Sequence, residues 1–130
     1  MILIDTSVWI DYFKKSSNAV QINDLIDKYE ICINDIIRAE LCPLILSKGQ
    51  FRLNDLINAL PIIPLNIEWN NIIDMQITNI KNGINKVGIS DLIIVQNALQ
   101  NHVSIMTLDK HFALMQSQFS FDLYLMKSCV

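Results

Sequence analysis

Cysteine is scarce: Cys32, Cys42 and Cys129 form no Cys-x-x-Cys pair and leave an odd number, which argues against a zinc site and against a disulfide framework. A reducing cytosol is the expected setting. Glycine and proline occur only three times each, and there is neither an internal repeat nor a low-complexity stretch. Charged residues make up 18% and apolar residues 52% of the chain, a balance that excludes a disordered protein. No apolar run approaches the length that spans a bilayer, so no membrane association is expected. Met1-Ile2-Leu3-Ile4 reaches Asp5 at once, without the basic region and long apolar segment of a secretory leader. A net charge of −3 also lacks the Lys and Arg excess that usually contacts phosphates. What remains is 130 residues, enough for one domain spanning 1–130 with its own core.

The apolar pattern alternates between two periods. Residues 1–5 are an apolar run ending in Asp5, followed by the capping residues Thr6 and Ser7 and by Val8-Trp9-Ile10, which reads as strand, turn and helix. Ile22, Leu25, Ile26 and Tyr29 mark a helix face over 18–29, and Ile31-Cys32-Ile33 a short strand. Asn34 caps a third helix through Ile36, Ile37, Glu40 and Leu41, which Pro43 is expected to kink or end. Leu53, Leu56, Ile57 and Leu60 mark a fourth helix, and Pro61 to Leu65 an extended stretch fit only for a short or edge strand. Asn66 is expected to cap a longer helix with Trp69, Ile72, Ile73, Ile77 and Ile80 on one face, ending near Gly83. Ser90 is expected to cap a nearly all-apolar, central helix. Val103 to Thr107 reads as a strand, a short helical turn follows Asp109, and Phe121 to Leu125 reads as a last strand. Strands alternating with helices predict an α/β fold with a mostly parallel sheet covered on both faces.

In open α/β sheets ligands bind at the carboxyl ends of the strands, where Asp5 and Asp109 both fall. Asp91 opens the apolar helix, and Glu40 lies on the helix that follows the second strand. Each has an ordinary explanation: Asp5 and Asp109 as turn or cap residues, Asp91 as a partner of the helix dipole, worth ~0.3–1 kcal/mol. Glu40 fits such an explanation least, because Ile36, Ile37, Leu41 and Leu44 surround it in sequence and Arg38, two residues away on the helix, points elsewhere. If the four converge, each pair at ~4 Å repels by roughly 4 kcal/mol at an effective dielectric of about 20, and a divalent cation is the natural compensation. Carboxylates and water without His or Cys suit Mg²⁺ or Mn²⁺, ions that serve phosphates, which points to phosphodiester hydrolysis. Without those four acids, 9 acidic residues face 10 basic ones, so the rest of the surface is nearly balanced. His102 and His111 read as a helix end and a packing or capping residue; Trp9, Trp69 and the isoleucine stripes as core or subunit contact rather than nucleobase-stacking platforms; Lys14-Lys15 as a solvated helix end.

Three segments, Ile2-Leu3-Ile4-Asp5-Thr6-Ser7-Val8-Trp9-Ile10, Gly88-Ile89-Ser90-Asp91-Leu92-Ile93-Ile94 and Met106-Thr107-Leu108-Asp109-Lys110-His111-Phe112, make the chain resemble the PIN-domain nucleases, in particular VapC toxins. Arg38-Ala39-Glu40-Leu41 also fits, although Pro43 and Leu44 stand where that family often has a small residue. The resemblance implies a three-layer α/β/α fold and an acidic Mg²⁺ or Mn²⁺ site of Asp5, Glu40, Asp91 and Asp109, with Thr6 and Thr107 as polar supports. It further implies selective cleavage of cellular RNA, a homodimer, and a small antitoxin partner through which alone the chain would meet DNA. A PIN nuclease of RNA processing, a catalytically silent PIN-like module that binds RNA or a partner, and a Mg²⁺-dependent phosphohydrolase with Asp5 as nucleophile are the competing readings. The last lacks a suitably placed lysine.

Overall fold

The structure is a computed structural model that describes residues 1–14 and 18–125; Lys15 and Cys129 lie outside the described residues. Ile2–Ile4 forms β1, three residues wholly buried because both faces of the sheet are covered. Ile31–Cys32 forms β2 and Ser104–Met106 forms β3. All pair in parallel in the order β2-β1-β3, with Ile2 opposite Ile31 on one side and opposite Ser104 on the other. Parallel neighbours require crossovers, and the helices supply them.

Thr6–Phe13 (α1) and Ala19–Asp27 (α2) join β1 to β2. Asp35–Ser47 (α3), Phe51–Ala59 (α4), Trp69–Lys81 (α5) and Ile89–Asn101 (α6) lie between β2 and β3, and Lys110–Phe119 (α7) follows. The layers are α/β/α, as the strand and helix alternation predicts. α6 is the central helix: residues 92–98 are all buried, including Gln96 and Asn97. Those two amides are tolerated because they are paired. Asn97 accepts from Asn34 Nδ2 and donates to Pro64 O, both at 2.9 Å, while Gln96 clamps the backbone of Glu68 and the side chain of Asn71. No helix among the described residues is long and apolar enough to cross a membrane.

Several local expectations change. α3 runs unbroken through Pro43, with Ile37, Leu41 and Ile45 seated in the core, so burial of that stripe outweighs the one lost backbone bond. Asn34 does cap it, accepting from Ile37 N at 2.9 Å. The α5 cap is Glu68 rather than Asn66, and the α6 cap is Gly88 rather than Ser90, which lies within the first turn. The apolar face of α5 divides: Ile72 is buried beside Met75 and Asn79, whereas Trp69, Ile73, Ile77 and Ile80 are exposed. Trp9, by contrast, is fully buried. The segment after Asp109 is a ten-residue helix, and the 121–125 stretch makes only an isolated parallel bridge, Leu123 with Ile105. The proline-bracketed segment likewise pairs by one bridge, Ile62 with Ile33.

Candidate active site

Strand order reverses about β1, with β2 on one flank and β3 on the other, so the crevice past the carboxyl end of β1 is the natural binding place. Asp5 occupies it. Its backbone N–H donates to Met106 O at 3.0 Å, extending the β1 to β3 pairing by one residue, and its side chain caps α1 through Val8 N at 3.3 Å. Asp5 is only 4% exposed, and a buried carboxylate needs donors. Ser7 donates its hydroxyl to Asp5 Oδ1 and Thr107 donates its own to Oδ2, each at 2.5 Å. Those hydroxyls are aimed by the 107–109 turn: Leu108 N donates to Ser7 Oγ at 3.0 Å and Asp109 N donates to Thr107 Oγ1 at 2.9 Å. With each hydroxyl oxygen already accepting, its proton is directed at Asp5.

Asp109 caps α7, and its Oδ1 meets both the backbone N of His111 at 2.9 Å and His111 Nδ1 at 2.8 Å. Asp91, half-buried in the first turn of α6, is held by the Gly88 backbone. Glu40 projects from α3 and is exposed, contrary to the expectation that apolar neighbours enclose it: the 37/41/45 stripe takes the core, and Glu40 stands outside it. Thr6 Oγ1 is buried without a hydrogen bond of ordinary geometry, yet it lies near enough to Glu40 to favour the charged carboxylate.

The four acids sense one another. Burial foremost pushes the Asp5 carboxyl above its ordinary value, against the hydroxyl and backbone donors, with Asp109 adding to the rise. Partial burial and then the charges of Asp91 and Asp5 raise Glu40. Burial and the charge of Asp109 raise Asp91, the Gly88 backbone opposes this, and Asp5 adds a smaller push. Among the described residues neither Lys nor Arg pairs with any of the four; Arg38 is engaged by Asp35 at 2.7 Å and by Asn58. Among the described residues, His111 Nδ1 is the one potentially cationic group in contact with an acid of this set, Asp109.

This is an oxygen-only donor set with repulsion left uncompensated, which fits a hard divalent cation such as Mg²⁺ or Mn²⁺. The fit is one of charge and ligand chemistry: among the described residues, no three acidic, His or Cys side chains come close enough to hold one ion together. Mg²⁺ suits such a spread, since it keeps several waters and takes few carboxylates directly.

Sequence reasoning nominated Asp5, Glu40, Asp91, Asp109, Thr6 and Thr107, and the structure brings the acids within electrostatic reach of each other around the strand ends. It read Ser7 as a capping residue and His111 as a packing or capping residue, and gave neither a place in the site. A signal for Ser7 existed, a hydroxyl two residues past a strand-end aspartate, but its second contact, with Leu108, arises only in the folded chain. His111 follows Asp109 at the same spacing, where its backbone and ring can reach one carboxylate oxygen.

The PIN domain family matches residues 2–117. No curated protein matches the sequence. Among solved structures the chain is similar to VapBC2 from Rickettsia felis, bound to a DNA fragment from its promoter, with a TM-score of 0.72 and 19% identity over 95% of this chain and 98% of that one. It is also similar to FitAcB from Neisseria gonorrhoeae, with a TM-score of 0.71 and 20% identity over 96% and 97% of the two chains. At such identities the likeness is one of fold, whereas the family match covers most of the sequence: the chain belongs to the PIN-domain family.

Proposed function

We propose that this protein is a metal-dependent endoribonuclease acting as the toxin of a toxin–antitoxin pair, with Asp5, Glu40, Asp91 and Asp109 as its catalytic, metal-holding acids. The observation that carries the reading is the acidic crevice at the β1 and β3 ends, in which three carboxyls are pushed toward protonation and, among the described residues, no Lys or Arg pairs with them. PIN domains are generally nucleases, which supports a hydrolase. The likeness of fold to VapBC2 from Rickettsia felis supports an antitoxin partner.

A divalent cation bound there would stabilise charge building on the phosphate oxygens and acidify the attacking water. The chain's own residues prepare the place. Ser7 and Thr107 favour the charged form of Asp5 and fix its rotation, and His111 fixes Asp109 through Oδ1. Thr6 biases Glu40 toward its charged form. RNA is the substrate, and DNA is met only through the antitoxin.

An open groove of about 420 Å³, lined by Tyr12, Phe13, Leu53 and Leu56 together with Arg52, suits an apolar, acid-bearing antitoxin segment. The expected cellular form is a cytoplasmic homodimer. The test is induced expression in a bacterial host. Growth arrest by the wild type, absent with Asp5→Asn and relieved by co-expressing the small protein encoded beside it, supports the reading; equal arrest by both variants removes the catalytic part of it.

A further inference from the structure

We infer that the cleft between the 107–109 turn and the 123–125 segment is a nucleotide subsite, which takes one unpaired RNA residue beside the scissile phosphate. This subsite rests on the nuclease reading above and names the part of the RNA that the crevice selects. It follows from how the sheet ends. Leu123 bridges Ile105, and two backbone bonds, Ile105 N to Asp122 O at 2.9 Å and Tyr124 N to Ile105 O at 2.8 Å, hold the last segment against β3. Beyond them the two segments part: Thr107 and Asp109 enter the turn that holds Asp5, and no further backbone bond joins the pair among the described residues. A half-open space of about 150 Å³ remains between them.

A space of roughly 150 Å³ accepts one benzene-sized ring. Pockets for drug-sized ligands begin near ~300 Å³, so a base pair or a stack of bases does not fit.

Three kinds of side chain in its wall select a nucleotide as the occupant. Thr107 and Asp109 belong to the acidic site, so whatever enters the cleft touches the place where cleavage is proposed. Tyr124 is half-buried, and Leu108 and Leu125 are 49 and 80% exposed, which leaves aromatic and apolar surface open beside a polar site. Lys110 is the cation of the wall. It is exposed and forms no ion pair among the described residues, although Asp109 precedes it directly, because Asp109 is engaged by His111. An RNA residue offers the complement: a flat base for Tyr124 and the two leucines, and a phosphate for Lys110. A base inside a duplex has no free face, so the cleft favours loops and single strands.

The test is fluorescence anisotropy of a labelled, mixed-sequence single-stranded oligoribonucleotide titrated with the full-length protein in Ca²⁺, with the RNA checked intact afterwards. Lys110→Gln should weaken binding several-fold and lower the slope of log Kd against log salt by about 0.7, the loss of one phosphate contact on a single strand. Tyr124→Ala should weaken it roughly tenfold, and Tyr124→Phe, which keeps the ring, should bind like wild type. Because Tyr124 also packs against the core, Leu108→Asp at an exposed position serves as a second variant; it should bind several-fold more weakly with an unchanged melting temperature. A duplex of the same sequence should bind at least about tenfold more weakly than the single strand. No binding by the wild type, wild-type affinity in Lys110→Gln and Leu108→Asp, a Tyr124→Phe protein as weak as Tyr124→Ala, or equal binding of the duplex would each overturn the inference. Binding that follows these variants without cutting in Mg²⁺ would fault the nuclease reading alone, whereas cutting by Lys110→Gln and Leu108→Asp at the wild-type KM would fault the subsite alone.

Discussion

Replacing Asp91 by Asn should stabilise the protein without metal and destabilise it relative to wild type with metal. Asp91 carries repulsion from Asp109 and Asp5 and itself raises Glu40, so its charge is opposed by three neighbours. At partly solvated positions such pairs are screened, and each is worth on the order of 0.5–1 kcal/mol, about 2 kcal/mol together. Against this stands the loss of a favourable charge in the first turn of α6, roughly 0.5 kcal/mol. The amide oxygen can still accept from the Gly88 backbone, so no buried donor is orphaned. The net gain is about 1.5 kcal/mol, or roughly 4–6 °C in Tm for a domain of this size. Mn²⁺ at a hundredfold excess over Kd then stabilises the wild type by about 2.7 kcal/mol; if the variant binds ~100-fold more weakly, it gains only about 0.4 kcal/mol. The order of stability therefore reverses on adding Mn²⁺. Differential scanning calorimetry with chelator and with Mn²⁺ reads both values. A variant no more stable than wild type in chelator, or equal Mn²⁺ shifts in the two proteins, would refute the reasoning.

Acidity should act in the same direction as the substitution. The folded-state carboxyls of Asp5, Glu40 and Asp91 are raised, so the folded protein binds more protons than the unfolded chain, and metal-free stability should increase as pH falls from 7 through those raised values toward 3.8 and 4.5. Their combined contribution is lost again as pH rises, and urea titrations at several pH values check the slope; a flat or opposite slope attributable to these groups would count against the cluster. Thr107→Ala removes a charge-assisted hydrogen bond to a buried carboxylate and should cost about 1.5–3 kcal/mol, whereas Thr107→Ser should recover most of it, as thermal melts would show. Asn97→Leu strands both Asn34 Nδ2 and Pro64 O in the interior and should cost roughly 2–4 kcal/mol by chemical denaturation, even though it adds apolar volume.

The parts of the fold legible from sequence are those where one local cause suffices. An apolar run ending in an aspartate locates the carboxyl end of β1, Asn34 before an apolar stripe locates the start of α3, and an all-round apolar helix announces the burial of α6. Asp5 and Asp109 were visible for the same reason. α5 is only partly legible, because isoleucine spacing shows that a face is apolar but not what covers it; the choice between core and outer surface depends on α6 and α7, which pack from elsewhere in the chain. Glu40 misled in the opposite way, since apolar neighbours in sequence lie on another side of the helix. The hydroxyl bridge from Ser7 to the 107–109 turn joins residues about a hundred positions apart, and no local pattern reports it.

The most direct test of the central claim is cleavage of total cellular RNA by purified protein in Mn²⁺, in Mg²⁺ and in chelator, with Asp5→Asn purified alongside. Cuts at discrete sites that require the metal and vanish in the variant are the predicted result. Cuts that persist in chelator or in Asp5→Asn, or intact RNA under every condition with antitoxin shown to be absent, would contradict it.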